Sequence, residues 1–260
     1  MDEETDVTSR LEDCGFLAGV RWAFESRQER LRADYLPGAG YRGASGGIMA
    51  HELFIDRMNR VCSTEDFLLS ENVDPQEGRD LLVEELSAEQ VRTMPLIPQG
   101  VIARSNPNNS PGFVFDDIRV LFASFPFGGA DDIVWLRKSP TKQGVARQPR
   151  PDVVEMDGLD LPPLPTITEI GDFEGRTFIL AHSFNIDPWA GELYLGSSRL
   201  GRSARGARNP WNWRRDLLGF SSPGESFGWT TGPRLPAGSP TTSVADAPVR
   251  LRGQAKQAGE

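Results

Sequence analysis

The sequence predicts an α+β fold: a helical N-terminal part packed on an antiparallel β-sheet of hairpins, with a Pro-rich excursion and a disordered C-terminal tail. Three observations predict it. Apolar residues recur at spacings of three and four up to about residue 94, the period changes to two over 95–138 and 173–198, and glycine and proline gather between those runs. The densest apolar stretch is Phe113 to Lys138, which reads FVFDDIRVLFASF, PFGGADD, IVWLRK. Two β-branched and aromatic runs flank Pro126, Gly128 and Gly129, which is the pattern of a β-hairpin with a longer loop. The core is expected to condense there.

Taken in order, residues 1–10 are polar and expected to fray. From Leu11 to about Tyr35, Phe16, Leu17, Val20, Ala23, Phe24 and Leu31 trace an amphipathic helix, interleaved with Arg21, Arg27, Glu29 and Arg30. A glycine-rich loop follows, and helical spacing resumes from Ile48 to Val61 and again, as a short acidic helix, from Arg79 to Val91. Gly100 to Arg104 suits a first strand, and Asn106 to Gly112 is a dense turn signal leading into Phe113. Residues 139–172, with Pro140, Pro149, Pro151, Pro162, Pro163 and Pro165, read as a linker or surface loop. A second hairpin is expected over 173–198, turning at DPWAG, with Phe178, Leu180, His182, Phe184 and Ile186 on one face. Residues 199–232 form a basic segment, and 233–260, rich in Pro, Gly, Ser, Thr and Ala, form the disordered tail. Residues 11–232 thus read as one domain.

At 260 residues the chain can bury a core without staples. Cys14 and Cys62 are its only cysteines, too few for a disulfide framework and without zinc spacing. The acidic start MDEETD lacks the basic region of a signal peptide, and no run suits a membrane span, so a soluble cytoplasmic protein without a membrane partner is expected. The net charge of −9 is unevenly spread: −10 over residues 1–100, −4 over 101–200 and +5 over 201–260. Such a division suits self-association or a basic end meant for an anionic partner.

Two partial motifs fail on single positions. GAGYRGASGG resembles a phosphate cradle, but Ile48 and Met49 stand where a P-loop needs Lys-Ser/Thr, leaving an interhelical connection. His51-Glu52 would open a zinc-protease helix if residue 55 were histidine; it is Ile55. His51 is then expected to be a helix-surface or packing residue.

The strongest chemical signal is RLGRSARGARNPWNWRR. Arg199, Arg202, Arg205 and Arg208 recur every third residue, Arg214 and Arg215 follow Trp211 and Trp213, and no acid intervenes. Guanidinium forks match phosphate and indoles stack bases, so the segment suits nucleic acid or an acidic protein. The alternative is that the arginines pair with the acidic N-terminal helices and the tryptophans anchor the segment on the core. A second signal is the pairs Asp116-Asp117 and Asp131-Asp132 with Lys138, raw material for a magnesium-dependent nuclease or phosphoester hydrolase if the two arms bring them together. The Asp/Glu-x-Lys triplet is absent, since Leu136 occupies its first position. No metal site or cofactor is otherwise implied. His182, in its apolar row, is either a base tuned by burial or a neutral, hydrogen-bonded core histidine. The preferred expectation is a binding or accessory protein for an anionic partner, ahead of the hydrolase and of an assembly component joined through its oppositely charged ends.

Overall fold

The computed structural model describes residues 2–41, 43–69, 75–149, 173–185, 189–200 and 209–219. Arg202, Arg205, Arg208, Asp187, most of the Pro-rich excursion and the tail over 233–260 lie outside the described residues.

The chain is α+β. Helices α1 (Glu3–Asp13), α2 (Phe16–Asp34), α3 (Gly43–Cys62), α4 (Pro75–Val83) and α5 (Ala88–Thr93) precede strands β1 (Ala103–Ser105), β2 (Gly112–Phe115) and β3 (Ile118–Ser124). After α6 (Pro140–Val145) come β4 (Arg176–Asn185), β5 (Ala190–Ser198) and β6 (Trp211–Asp216).

Within the stretch 1–10, expected to fray, Glu3 to Arg10 are instead helical. Asp2 caps α1 by accepting the Thr5 N–H at 2.7 Å, Glu3, Glu4 and Asp6 complement the positive end of the helix, and Val7 and Leu11 bury one turn apart. Gly15, at φ 80°, ends the first helix and starts the second. Gly19 lets α2 lie close on α3, since a Cβ there would fall 2.6 Å from Val61 Cγ1. The glycine-rich loop is shorter than expected, because α3 begins at Gly43 and takes Gly46 and Gly47 into its first turns. The expected helix over 79–91 is two, the second begun by a capping box in which Ser87 and Gln90 satisfy each other's backbone N–H.

The six strands form one sheet in chain order. The expected antiparallel pairing holds throughout except between β3 and β4, which run parallel from Ile118 opposite Arg176 to Ser124 opposite His182. A parallel neighbour needs a crossover, and residues 125–175 supply it. The central hairpin is also re-drawn. Its turn is Asp116-Asp117, with Asp116 at φ 55°, so β2 and β3 are its arms. IVWLRK is no strand: Trp135–Arg137 make one 3-10 turn.

Strand β3 is buried from Ile118 to Ala123, because both sheet faces are covered. One face sets Val120, Phe122, Phe178, Leu180, Leu193 and Leu195 against α1, α2 and α3. The other sets Leu121, Ala123, Ile179 and Ala181 against Phe125, Trp135, Val145 and Trp211. Among the described residues no helix is long and apolar enough to cross a membrane.

Candidate functional site

The described part of the basic segment is engaged within the chain. Trp211 is 2 % exposed, lies edge-to-face on Trp135 at 5.2 Å and donates its indole N–H to the Ala130 carbonyl. Trp213 packs on Phe178 and donates to Glu3. Arg214 pairs with Asp131 at 2.7 Å and lies over Tyr194, while Arg215 donates to the Thr8 hydroxyl. Arg199 is exposed, and its backbone N–H donates to the Pro210 carbonyl at 2.7 Å. The two indoles therefore serve packing, as the alternative sequence reading had it. The connection that carries Arg202, Arg205 and Arg208 is closed at its base.

The aspartate pairs do not share a partner. Arg10 of α1 donates to both Asp116 and Asp117 at the β2–β3 turn, whereas Asp131 is held by Arg214 and Asp132 is exposed. Lys138 donates its ammonium to the Ser124 carbonyl at 2.7 Å. No group of three or more His, Cys, Asp or Glu side chains among the described residues could hold a metal ion.

A different constellation forms on the helix-covered face. Arg27 falls on the buried seam of α2, three residues after Phe24 and four before Leu31, and its guanidinium is fully buried, 4.0 Å from the Phe24 ring centre and 4.8 Å from that of Phe54. It meets no carboxylate among the described residues. Its Nη1 donates to the Ala50 carbonyl at 3.1 Å and stands 3.2 Å from His182 Nδ1, while Nη2 reaches the Ser183 carbonyl at 3.5 Å. His182 faces inward because β4 alternates Phe178, Leu180 and His182 onto the same side, and the Phe125 N–H ties its carbonyl to the end of β3. Its other nitrogen, Nε2, is 2.9 Å from Nδ1 of His51 on α3, and the two rings are stacked at 10°. The only two histidines of the chain thus meet.

Hydrogen bonding orders the row. Arginine has only donors, so His182 Nδ1 accepts from Arg27; His182 then carries its proton on Nε2 and donates to His51 Nδ1. These tautomers follow from the bond network. The far nitrogen of His51, a half-buried residue, is left as an N–H donor.

The charges acting most on these imidazoles are all positive. Burial lowers the pKa of His182 well below its usual range, and the charges of Arg27 and Lys142 add to that. Burial likewise lowers His51 to about 4, with Lys142, Arg27 and Arg104 next in weight. Both rings are neutral at pH 7. Arg27 is lowered to about 9 by burial alone and keeps its charge. Lys142 of α6 and Lys138 are also pulled down by burial, and the Lys142 ammonium has no hydrogen-bond or ion-pair partner among the described residues. One turn and two turns before His51 along α3, a side chain added at Gly47 or Gly43 would meet nothing within 4 Å, so that side of the helix is open. The result is a carboxylate-free group of cations and N–H donors running from a buried guanidinium to a half-buried imidazole.

The sequence singles out His182, whereas His51 reads there as a helix-surface or packing residue and Arg27 as one of the polar residues interleaved along its helix. The signal for Arg27 was present: its spacing from Phe24 and Leu31 puts it in the apolar seam. No family model, curated protein or solved structure matches the chain.

Proposed function

We propose that the protein binds an anionic ligand, whose phosphate or carboxylate group is held by the His51 N–H and the Lys142 ammonium at the outer end of the Arg27–His182–His51 row. The observation that carries this reading is the fully buried Arg27 bonded to the first of two linked neutral imidazoles, with Lys142 and Lys138 among the charges that lower their pKa and no carboxylate bonded to Arg27, Lys138 or Lys142 among the described residues. Folded proteins bury charge with a partner, because an unpaired buried charge is disfavoured by several kcal/mol (on the order of 3–5 for a pair broken by removing one side). An anion completes this group. A location inside the cell belongs to the same reading and is supported by the two free thiols, Cys14 and Cys62.

Thermal unfolding with sulfate, phosphate or acetate at matched ionic strength tests the proposal. A ligand at 100 times its Kd stabilises the folded state by about 2.7 kcal/mol, so a rise in Tm that His51→Leu and Lys142→Ala both remove is the expected result. A rise that persists in both variants would falsify the assignment of the site.

A second reading, an anionic polymer bound through the β5–β6 connection, is supported by exposed Arg199 and by the recurrence of Arg202, Arg205 and Arg208 at every third position in the sequence that joins the two strands. Its signature is a steep fall of RNA or DNA affinity with salt, abolished by changing those three arginines to glutamate. Single-stranded oligonucleotide that fails to bind the parent protein at low salt removes it.

A further inference from the structure

We propose that Arg27 acts as a tautomer lock, holding His182 and His51 so that His51 offers its Nε2–H as an uncharged donor, and that the site therefore takes an acceptor-only oxyanion group without moving a proton. This rests on the reading of the site as an anion site and adds to it the protonation state of the bound group.

The argument is one of donors and acceptors. Arg27 is held by the Ala50 and Ser183 carbonyls and rests against the rings of Phe24 and Phe54, so its Nη1–H cannot turn away from His182 Nδ1, 3.2 Å off. If His51 were to act as a base through Nε2, its own proton would have to sit on Nδ1, facing His182 Nε2 at 2.9 Å. His182 would then carry its proton on Nδ1 and set an N–H against the N–H of Arg27. Two donors facing each other in a fully buried place leave both without an acceptor, so the row runs one way only, from guanidinium to imidazole to imidazole to ligand. Doubly protonated rings are opposed by every charge that faces them: Arg27 from α2, Lys142 from α6, Lys138 just before it, and Arg104 from β1, the last already paired with Glu65 at 2.8 Å. A neutral donor row backed by a fixed positive charge accepts carboxylate, sulfate or phosphate oxygens. A ligand whose contacting atom carries hydrogen, such as a protonated acid or an amine, meets donor against donor.

The test uses the full chain and two readouts. Because the chain has just two histidines, long-range 15N–1H correlation spectra report both tautomers without editing. Nε2–H on each ring is expected, and Nδ1–H on either overturns the lock. Calorimetric titration with inorganic sulfate at about pH 7, repeated in buffers of different ionisation heat, is expected to give an enthalpy independent of the buffer. Sulfate itself takes up no proton there, so a buffer-dependent enthalpy corresponding to about one proton overturns this proposal while leaving the anion reading in place. Absence of sulfate and acetate binding overturns the anion reading instead, and the spectra still decide the tautomers. His51→Gln keeps an N–H near the Nε2 position and should bind sulfate within about threefold of the parent, whereas His51→Leu should lose about ten- to a hundredfold. Equal losses in the two variants count against a donor at that position. Arg27→Met should release the lock and populate the Nδ1–H form of His182. If that variant does not fold, the glutamine and leucine pair decides alone.

Discussion

Arg27 on α2 and Arg214 on β6 each lay a guanidinium over an aromatic ring, 4.0 Å from Phe24 and 4.5 Å from Tyr194. Their surroundings differ in everything else. Arg214 keeps a quarter of its side chain in solvent and meets the carboxylate of Asp131, itself 69 % exposed, so its charge is cancelled where it stands. Arg27 is enclosed, and only carbonyl dipoles, ring faces and an imidazole nitrogen oppose its charge. A neutralised cation ties β6 to the turn that carries Asp131. An enclosed, uncancelled one imposes an electrostatic potential on whatever lies beside it, and beside it lie both histidines of the chain.

Four experiments break or sharpen that contrast. The largest effect is expected from Arg27→Ala, which opens a cavity beside Phe24 and Phe54 and strips the Ala50 carbonyl and His182 Nδ1 of their donor. A loss of about 3–5 kcal/mol in urea unfolding follows from comparable core truncations, and a loss no larger than that of Arg214→Ala would erase the distinction.

Acid comes next. The folded pKa of His51, about 4, lies below its unfolded value of 6.5, so between those pH values the unfolded chain binds a proton that the folded one refuses. Stability contributed by the neutral ring is complete above pH 6.5 and is lost as pH falls toward 4, by about 2–3 kcal/mol for His51 once its partial solvent exposure is discounted. His182, shifted the same way, adds to the loss. Urea midpoints at pH 7, 6 and 5 should fall in that order, and His51→Gln should flatten the decline; a midpoint constant over that range is incompatible with neutral buried rings.

Arg214→Ala should cost less than about 1 kcal/mol, the ordinary scale of an exposed pair. The smallest effect is that of salt: raising NaCl to about 1 M shortens the screening length to about 3 Å and should remove most of the difference between Arg214→Ala and the parent, while leaving the cost of Arg27→Ala unchanged.

How far these features are legible in the sequence follows from what periodicity encodes. It marks which side of an element faces the core, so the inward row of Phe178, Leu180 and His182 and the β4–β5 hairpin are readable from spacing. It does not name the neighbour across a sheet. β3 is buried on both faces and so has no alternation to interpret, and its parallel union with β4 depends on a crossover of some fifty residues whose path no local rule dictates. Local chemistry carries more than periodicity at Asp116-Asp117, where two small acidic residues between apolar runs form the turn themselves. The same holds for the cap at Asp2, from which α1 begins at Glu3. At Arg27 residue type and position conflict: a cation suits the wet face, while its spacing puts it in the seam. The meeting of His51 with His182 required α3 to lie over β4, which tertiary packing alone decides.

The closing contacts of the fold join its earliest helix to its last described strand. Glu3 receives the indole N–H of Trp213 across 210 positions, and Thr8 receives Arg215. At translation speeds of about 5–20 residues per second, roughly 10–40 s separate the emergence of these partners. α1 must therefore wait at the mouth of the ribosome with the apolar side of Val7 and Leu11 without its final cover, and a chain interrupted before Trp211 lacks the clasp altogether. Closure of the native structure thereby awaits the synthesis of β6, so products terminated before Trp211 should be recognisable to quality control by that open seam.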